Sequence, residues 1–208
     1  MRRIFVSGIG TGVGKTIAAA ALVENMKADY WKPVQAGDTE GTDKQIVSSL
    51  ISNNKSVMHP ETYLLKTPAS PHHAAFLEGI DIKSADFVVP QTSNNLVIEG
   101  AGGLMVPLNN SGYLFIDLIE QMQAEVVLVS QNYLGSINHT LLSVEAVEKR
   151  NLKVAGIIFN GTPNTATEKF ITHHTGWPII GKITHEKHID KKTIKKYAQL
   201  FRLNYSCF

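Results

Sequence analysis

The residues best suited to chemistry stand near the amino terminus, where G-I-G-T-G-V-G-K-T fills positions 8–16. Glycines let the backbone turn its N–H groups toward an anion and leave room for phosphate. A helix beginning near Lys15 adds the positive end of its dipole. Lys15 can reach the β- and γ-phosphates of a nucleotide, and the Thr16 hydroxyl can ligate Mg2+. The spacing departs from the common G-x-x-x-x-G-K-[ST] pattern, which would need glycine at Ile9; five residues separate Gly8 from Gly14. A glycine-rich turn with no ligand is the plainer alternative. A strand before, a helix after and an intact G-K-T argue against it and for a triphosphate cradle.

Further candidates follow other apolar runs. Lys32 lies in W-K-P-V-Q-A-G, either at a ligand-facing strand end or on a solvated edge. Glu99 is followed by Gly100, Ala101, Gly102 and Gly103. A carboxylate there is the usual second magnesium anchor, and small residues after it admit a substrate. Asp43 reads as a helix N-cap or first-turn acid, or as a third oxygen ligand. Gly135, Ser136, Ile137 and Asn138 open a helix whose free N–H groups suit a carboxylate, with Asn138 as a simple cap the equal alternative. Asn160, before Gly161, offers a donor and an acceptor that could read a base edge. His72 and His73 are adjacent and share no helix face, so His72 reads as a cap or structural contact near the site and not as a metal ligand.

These residues need elements to position them. Apolar runs at 3–7, 30–34, 96–99, 126–130, 154–159 and 178–183 read as strands, the second stopped by Pro33. Helices are expected at 16–27, 43–51, 114–123, 138–150, 164–174 and 190–200. The strands are continuous Val/Ile/Leu runs, the pattern of strands buried on both faces. Strand–helix alternation of this kind gives an α/β fold of three layers, a mostly parallel sheet flanked by helices. Ligands on such sheets sit beyond the carboxyl ends of the strands. The segment 52–71 is the least regular, and residues 1–208 are read as one domain.

Composition narrows the partners. The chain has 208 residues, 43% of them hydrophobic, enough for one sizeable core. Twenty basic against 18 acidic residues leave a net charge of +2, too small for a nucleic-acid footprint. The single cysteine, Cys207, permits neither an internal disulfide nor a zinc cluster and fits a reduced cytoplasm. Glycines interrupt the apolar run after Arg2 and Arg3, so no signal-peptide core forms, and no run reaches the ~18 apolar residues of a membrane span.

Taken in order, the motifs resemble those of the dethiobiotin synthetase family. The matching pieces are G-x-x-T-x-V-G-K-T at 8–16, K-P-V-Q-x-G at 32–37, T-D at 42–43, S-P-H at 70–72, E-G-A-G-G at 99–103, P-L at 107–108, L-G-x-I-N-H at 134–139 and Asn160. The longer loop is the family's own spacing. The resemblance implies a phosphate-loop NTPase-like fold and a ligase of biotin synthesis. It implies that 7,8-diaminopelargonate, CO2 or bicarbonate, and ATP give dethiobiotin, ADP and phosphate. Lys32, Lys15 and Thr11 are implied to be catalytic, and Thr16, Asp43 and Glu99 to hold Mg2+. Nucleotide binding is implied for Gly12, Val13, Gly14, Lys15, Thr16, Ile17, Asp43, Glu99, Gly100, Ala101, Gly102, Asn160 and Gly161. Substrate contacts are implied for Thr11, Lys32, Ala36, Gly135, Ser136 and Asn138, the last three supplied by the neighbouring subunit of a homodimer. Two positions depart from the family pattern. Ala36 stands where Ser or Thr is usual, and G-K-I-T-H at 181–185 lacks the usual Pro of a loop that helps read the base.

Two other readings compete. Partitioning and cell-division switch ATPases carry a second lysine early in the loop, where this chain has Gly8, Ile9 and Gly10. Their basic DNA or membrane surface has only K-K-T-I-K-K at 191–196 as a counterpart, which reads as a solvated helix face. A related phosphate-loop ligase acting on another acid would share the loop and Glu99.

Overall fold

In the computed structural model, residues 1–37 and 41–203 are described; Cys207 lies outside them. The main sheet has six strands in the order β2-β5-β1-β6-β7-β8. These are β1 Arg3–Gly8, β2 Asp29–Trp31, β5 Leu96–Gly103, β6 Glu125–Gln131, β7 Val154–Asn160 and β8 Ile179–Ile183. Every pairing between them is parallel. A second sheet pairs β3 Val34–Ala36 with β4 Tyr63–Leu65, also in parallel.

Helices cover both faces, as parallel strands require. Alternate residues of one strand serve opposite sides: Ile4 and Val6 join the core under α1 (Lys15–Met26) and α7 (Lys191–Leu200), while Phe5 joins the core under α4 (Phe115–Gln121). Helices α5 (Ser136–Lys149) and α6 (Thr165–Thr175) also contribute to the second core through Val144, Val147 and Ile171. Ala18 to Val23 are all fully buried, so the middle of α1 is apolar all round and lies against the sheet at its centre. Helix α2 (Asp43–Leu50) starts with a capping box, Thr42 accepting from the Gln45 N–H while the Gln45 side chain accepts from the Thr42 N–H.

The structure alters four expectations. The strand expected at 30–34 divides at Lys32-Pro33 into β2 and β3 in different sheets; the Pro33 carbonyl accepts from Thr62 and Tyr63 N–H, which draws in β4. The irregular stretch thus contains a strand, too short for its period to show. Helix α3 (Pro71–Glu78) was not expected, although Ser70-Pro71 at its start and Gly79 at its end are ordinary helix boundaries. Strand β5 does not stop at Glu99 but continues through the glycines to Gly103. Glycine permits this, because a Cβ on Gly100 would sit 2.8 Å from Phe5 Cε1 and one on Gly103 3.2 Å from the Gly8 carbonyl oxygen. Helix α5 begins at Ser136 after a left-handed Gly135 (φ 98°), so Asn138 lies inside the helix and is not its cap.

Candidate functional site

The phosphate-loop residues connect the centre of the sheet to α1. Gly12 and Gly14 take positive φ, 73° and 91°, which glycine adopts without strain. The Lys15 ammonium donates to the Gly10 carbonyl at 3.0 Å, folding back over the loop. Asn160, from the end of β7, donates through Nδ2 to the Val13 carbonyl at 2.8 Å. It packs so closely that a Cβ on Gly14 would lie 2.2 Å from that nitrogen. One amide N–H of Asn160 is therefore spent on bracing the loop, which base reading alone did not anticipate.

On the β2–β5 side of the loop, charged groups converge in a cleft of about 630 Å3 that includes Thr11, Lys15, Thr16, Lys32, Asp43 and Glu99. The Thr16 hydroxyl lies 2.9 Å from both Asp43 Oδ1 and Glu99 Oε1. Lys32 Nζ is 2.6 Å from Asp43 Oδ2, 3.3 Å from Glu99 Oε1, and 3.3 Å from the Gly100 carbonyl to which it donates. Lys32 and Glu99 are almost wholly buried, which rules out the solvated-edge reading of Lys32. Asp43 is the first residue of α2 and Thr42 is its cap, so the carboxylate is free to face the cleft.

The electrostatics follow from burial and pairing. Burial disfavours the Lys32 charge, but Glu99 and then Asp43 outweigh it and hold its pKa above the ordinary lysine value. Burial also works against the Asp43 carboxylate, and Lys32 and Thr16 more than compensate, keeping its pKa low. Lys15 has weaker compensation: burial brings its pKa down to about 8. Tyr30 is pushed well above its usual range by burial and by Glu99, so its hydroxyl remains protonated and donates to Glu99 Oε2 at 2.8 Å.

The cleft thus brings together Thr11, Gly12, Gly14, Lys15, Thr16, Ile17, Lys32, Ala36, Asp43, Glu99, Ala101 and Gly102. Val13 is buried beneath the loop, and Gly100 enters through its carbonyl. Gly161 lies beyond the loop brace, its N–H donating to Ile183. Gly135, Ser136 and Asn138 stand apart from this cleft, at the start of α5. His72 makes a local contact, its Nδ1 lying 3.1 Å from Ser70 Oγ. Two residues escaped sequence reading. Tyr30 fixes Glu99, and Gln35 accepts from the Asp43 N–H while donating to the Gly37 carbonyl. Gln35 sits within the K-P-V-Q-x-G motif; nothing about Tyr30 separates it in sequence from an ordinary buried aromatic.

The donor set suits a hard cation. One hydroxyl and two carboxylates lie within hydrogen-bond distance of one another, and Mg2+ favours such oxygens together with substrate phosphates. No group of three or more His, Cys, Asp or Glu residues able to hold a metal occurs among the described residues, so phosphate oxygens would have to complete the sphere. No helix among those residues is long and apolar enough to cross a membrane.

The profile of a family described as an AAA domain matches residues 2–193. The chain is 46% identical over 199 residues to the ATP-dependent dethiobiotin synthetase BioD of Cytophaga hutchinsonii, covering 95% of this chain and 96% of that one. It is 48% identical over 198 residues to the BioD of Christiangramia forsetii, covering 95% of each. Among solved structures, a plasmid partition protein from Borrelia burgdorferi B31 bound to AMPPNP superposes with a TM-score of 0.58 at 14% identity, covering 94% of each chain. A ParA family ATPase from Chlorobium tepidum TLS gives 0.53 at 15%, covering 96% of this chain and 99% of that one. At such identities the likeness speaks for the fold alone.

Proposed function

The chain belongs to the ATP-dependent dethiobiotin synthetase family, and from that premise we propose that its cleft carboxylates and closes 7,8-diaminopelargonate to dethiobiotin at the expense of ATP. The observation that carries the reading is the meeting of Lys32, Thr16, Asp43 and Glu99 beside the phosphate loop in one cleft.

One amine of the substrate combines with CO2 to give a carbamate. A carbamate oxygen attacks the γ-phosphorus of ATP and expels ADP. The second amine then attacks the carbon of this mixed anhydride, the C–O bond to phosphate breaks, and the cyclic urea and phosphate leave. One carbamate oxygen departs with the phosphate, and the other remains as the urea oxygen. No side-chain nucleophile is needed, so the protein contributes orientation and charge. Lys32, fixed by two carboxylates, and Lys15, at the loop, supply cations where negative charge spreads during transfer. Preorganised groups of this kind are worth roughly 3–4 kcal/mol each. Thr11 hydrogen-bonds the substrate, and any contact at Ala36 is made by backbone.

Thr16, Asp43 and Glu99 would hold Mg2+, which when bound neutralises charge on the β- and γ-phosphates. The working unit is a cytoplasmic homodimer, in which Gly135, Ser136 and Asn138 of the neighbouring subunit receive the substrate carboxylate. Two features support this. The Ser136 hydroxyl is buried and has no hydrogen-bond partner among the described residues. Tyr133 and Leu134, just before α5, and Leu142, within it, are exposed, and Leu142 lines one hollow with the exposed Met105, more apolar surface than a solitary side chain explains. The test is product detection: purified protein with Mg-ATP, 7,8-diaminopelargonate and bicarbonate should yield dethiobiotin by mass spectrometry. Phosphate release independent of the diamine, without that product, would sink the reading.

A further inference from the structure

The charged cleft lies on the β2–β5 side of β1, whereas β6, β7 and β8 extend on the other side. A nucleotide with its γ-phosphate near Lys32 that crosses the loop beneath it meets Asn160 at the end of β7, which braces that loop through the Val13 carbonyl. There Asn160 abuts Gly14 of the phosphate loop and pairs in register with Ile183, and the Gly161 N–H donates to the Ile183 carbonyl. The next residues, Thr184, His185 and Glu186, thus begin at the edge of that path. A loop in this position would usually be free to vary. Here a buried tyrosine from α7 holds it. Tyr197 is 2% exposed and belongs to the core under α1. Its hydroxyl accepts from the Thr184 N–H at 3.1 Å and donates to Glu186 Oε1 at 2.6 Å, with Thr184 Oγ1 at 3.0 Å. Lys196, beside it on α7, donates to the same Glu186 oxygen at 3.2 Å.

We propose that Tyr197 is a positioning residue for nucleotide selection, its hydroxyl fixing Thr184 to Glu186 as one wall of the nucleoside subsite opposite Asn160. The proposal rests on the nucleotide-dependent reading above.

The test compares wild type with Tyr197→Phe, using Mg-bound ATP, GTP, CTP and inorganic tripolyphosphate as probes in calorimetry, with steady-state kinetics alongside. Losing a hydrogen bond to a charged acceptor should raise the KM for ATP about five- to tenfold. The preference for ATP over GTP and CTP should fall by a similar factor. Maximal turnover and tripolyphosphate affinity should stay unchanged, because neither depends on the nucleoside wall. Unaltered discrimination, or equal weakening for tripolyphosphate, would overturn the proposal, as would a wild type that binds all three nucleotides alike. Should Tyr197→Phe fail to fold, Glu186→Gln decides on the same readouts, with a smaller shift in the same direction expected and none overturning it. A wild type that discriminates among bases yet forms no dethiobiotin would defeat the synthetase reading and leave this one standing.

Discussion

Replacing Gly14 by alanine isolates how the phosphate loop is kept open. Two costs can be read from its geometry. Gly14 sits at φ 91°, ψ 28°, and placing an L-residue there costs about 1–2 kcal/mol. The new Cβ would also lie 2.2 Å from Asn160 Nδ2, so the amide must withdraw from the Val13 carbonyl, a loss of about 1 kcal/mol. Together these give about 2–3 kcal/mol, or roughly a 30- to 150-fold weaker Kd for Mg-ATP. The assay is calorimetric titration with Mg-ATP, paired with thermal unfolding to capture any cost that appears in stability instead. A double-mutant cycle sharpens it. Asn160→Ala alone should cost about 1 kcal/mol, and in that background Gly14→Ala should show only the backbone cost, a coupling of about 1 kcal/mol. Strict additivity would refute the contact between Gly14 and Asn160. Unchanged affinity together with unchanged stability in Gly14→Ala would refute the loop geometry altogether.

Three further outcomes are expected. Lys15 titrates near 8 instead of its ordinary 10.5, and bound phosphates favour its charged form, so Mg-ATP affinity should fall above about pH 8, by at most about tenfold per pH unit. The same shift acts oppositely on stability: between those values the unfolded chain holds the proton the folded one has lost, so this group's contribution rises with pH, which chemical denaturation can follow. Tyr30→Phe leaves a buried Glu99 oxygen without its donor, which should lower stability by about 1–3 kcal/mol and weaken Mn2+ binding in the presence of ATP, read by electron paramagnetic resonance. Lys32→Ala should reduce dethiobiotin formation by about 100-fold or more while sparing ATP binding, provided unfolding shows the protein folded; unchanged turnover would remove Lys32 from the chemistry.

How far the site could be read in advance depended on whether each residue acts through a motif or through packing. That Lys15, Thr16, Asp43 and Glu99 share one cleft was legible, because in a parallel sheet strand ends and helix starts gather on one edge. Strands β1, β6 and β7 were legible because burial on both faces leaves unbroken apolar runs. The turn at Pro33 into a second sheet was not, because β3 and β4 are held by a pairing between residues about thirty apart, which no local period records. The continuation of β5 through Gly103 was hidden for a related reason: glycine marks a turn in most strands, and only the neighbouring Phe5 and Gly8 reveal that it marks close approach here. Tyr30 and Tyr197 were invisible as anything but core, since a buried tyrosine differs from a buried phenylalanine only in where its hydroxyl ends.

If the cleft transfers the γ-phosphoryl group to a carbamate oxygen, that oxygen leaves with the phosphate and can be followed there. Early turnover with 18O-labelled bicarbonate in unlabelled water, with Mg-ATP and 7,8-diaminopelargonate, should place one 18O atom in each inorganic phosphate and another in the urea carbonyl of dethiobiotin. Phosphate that carries no label while dethiobiotin accumulates would mean that the phosphoryl group went to water and not to the carbamate, and would exclude transfer to the carbamate.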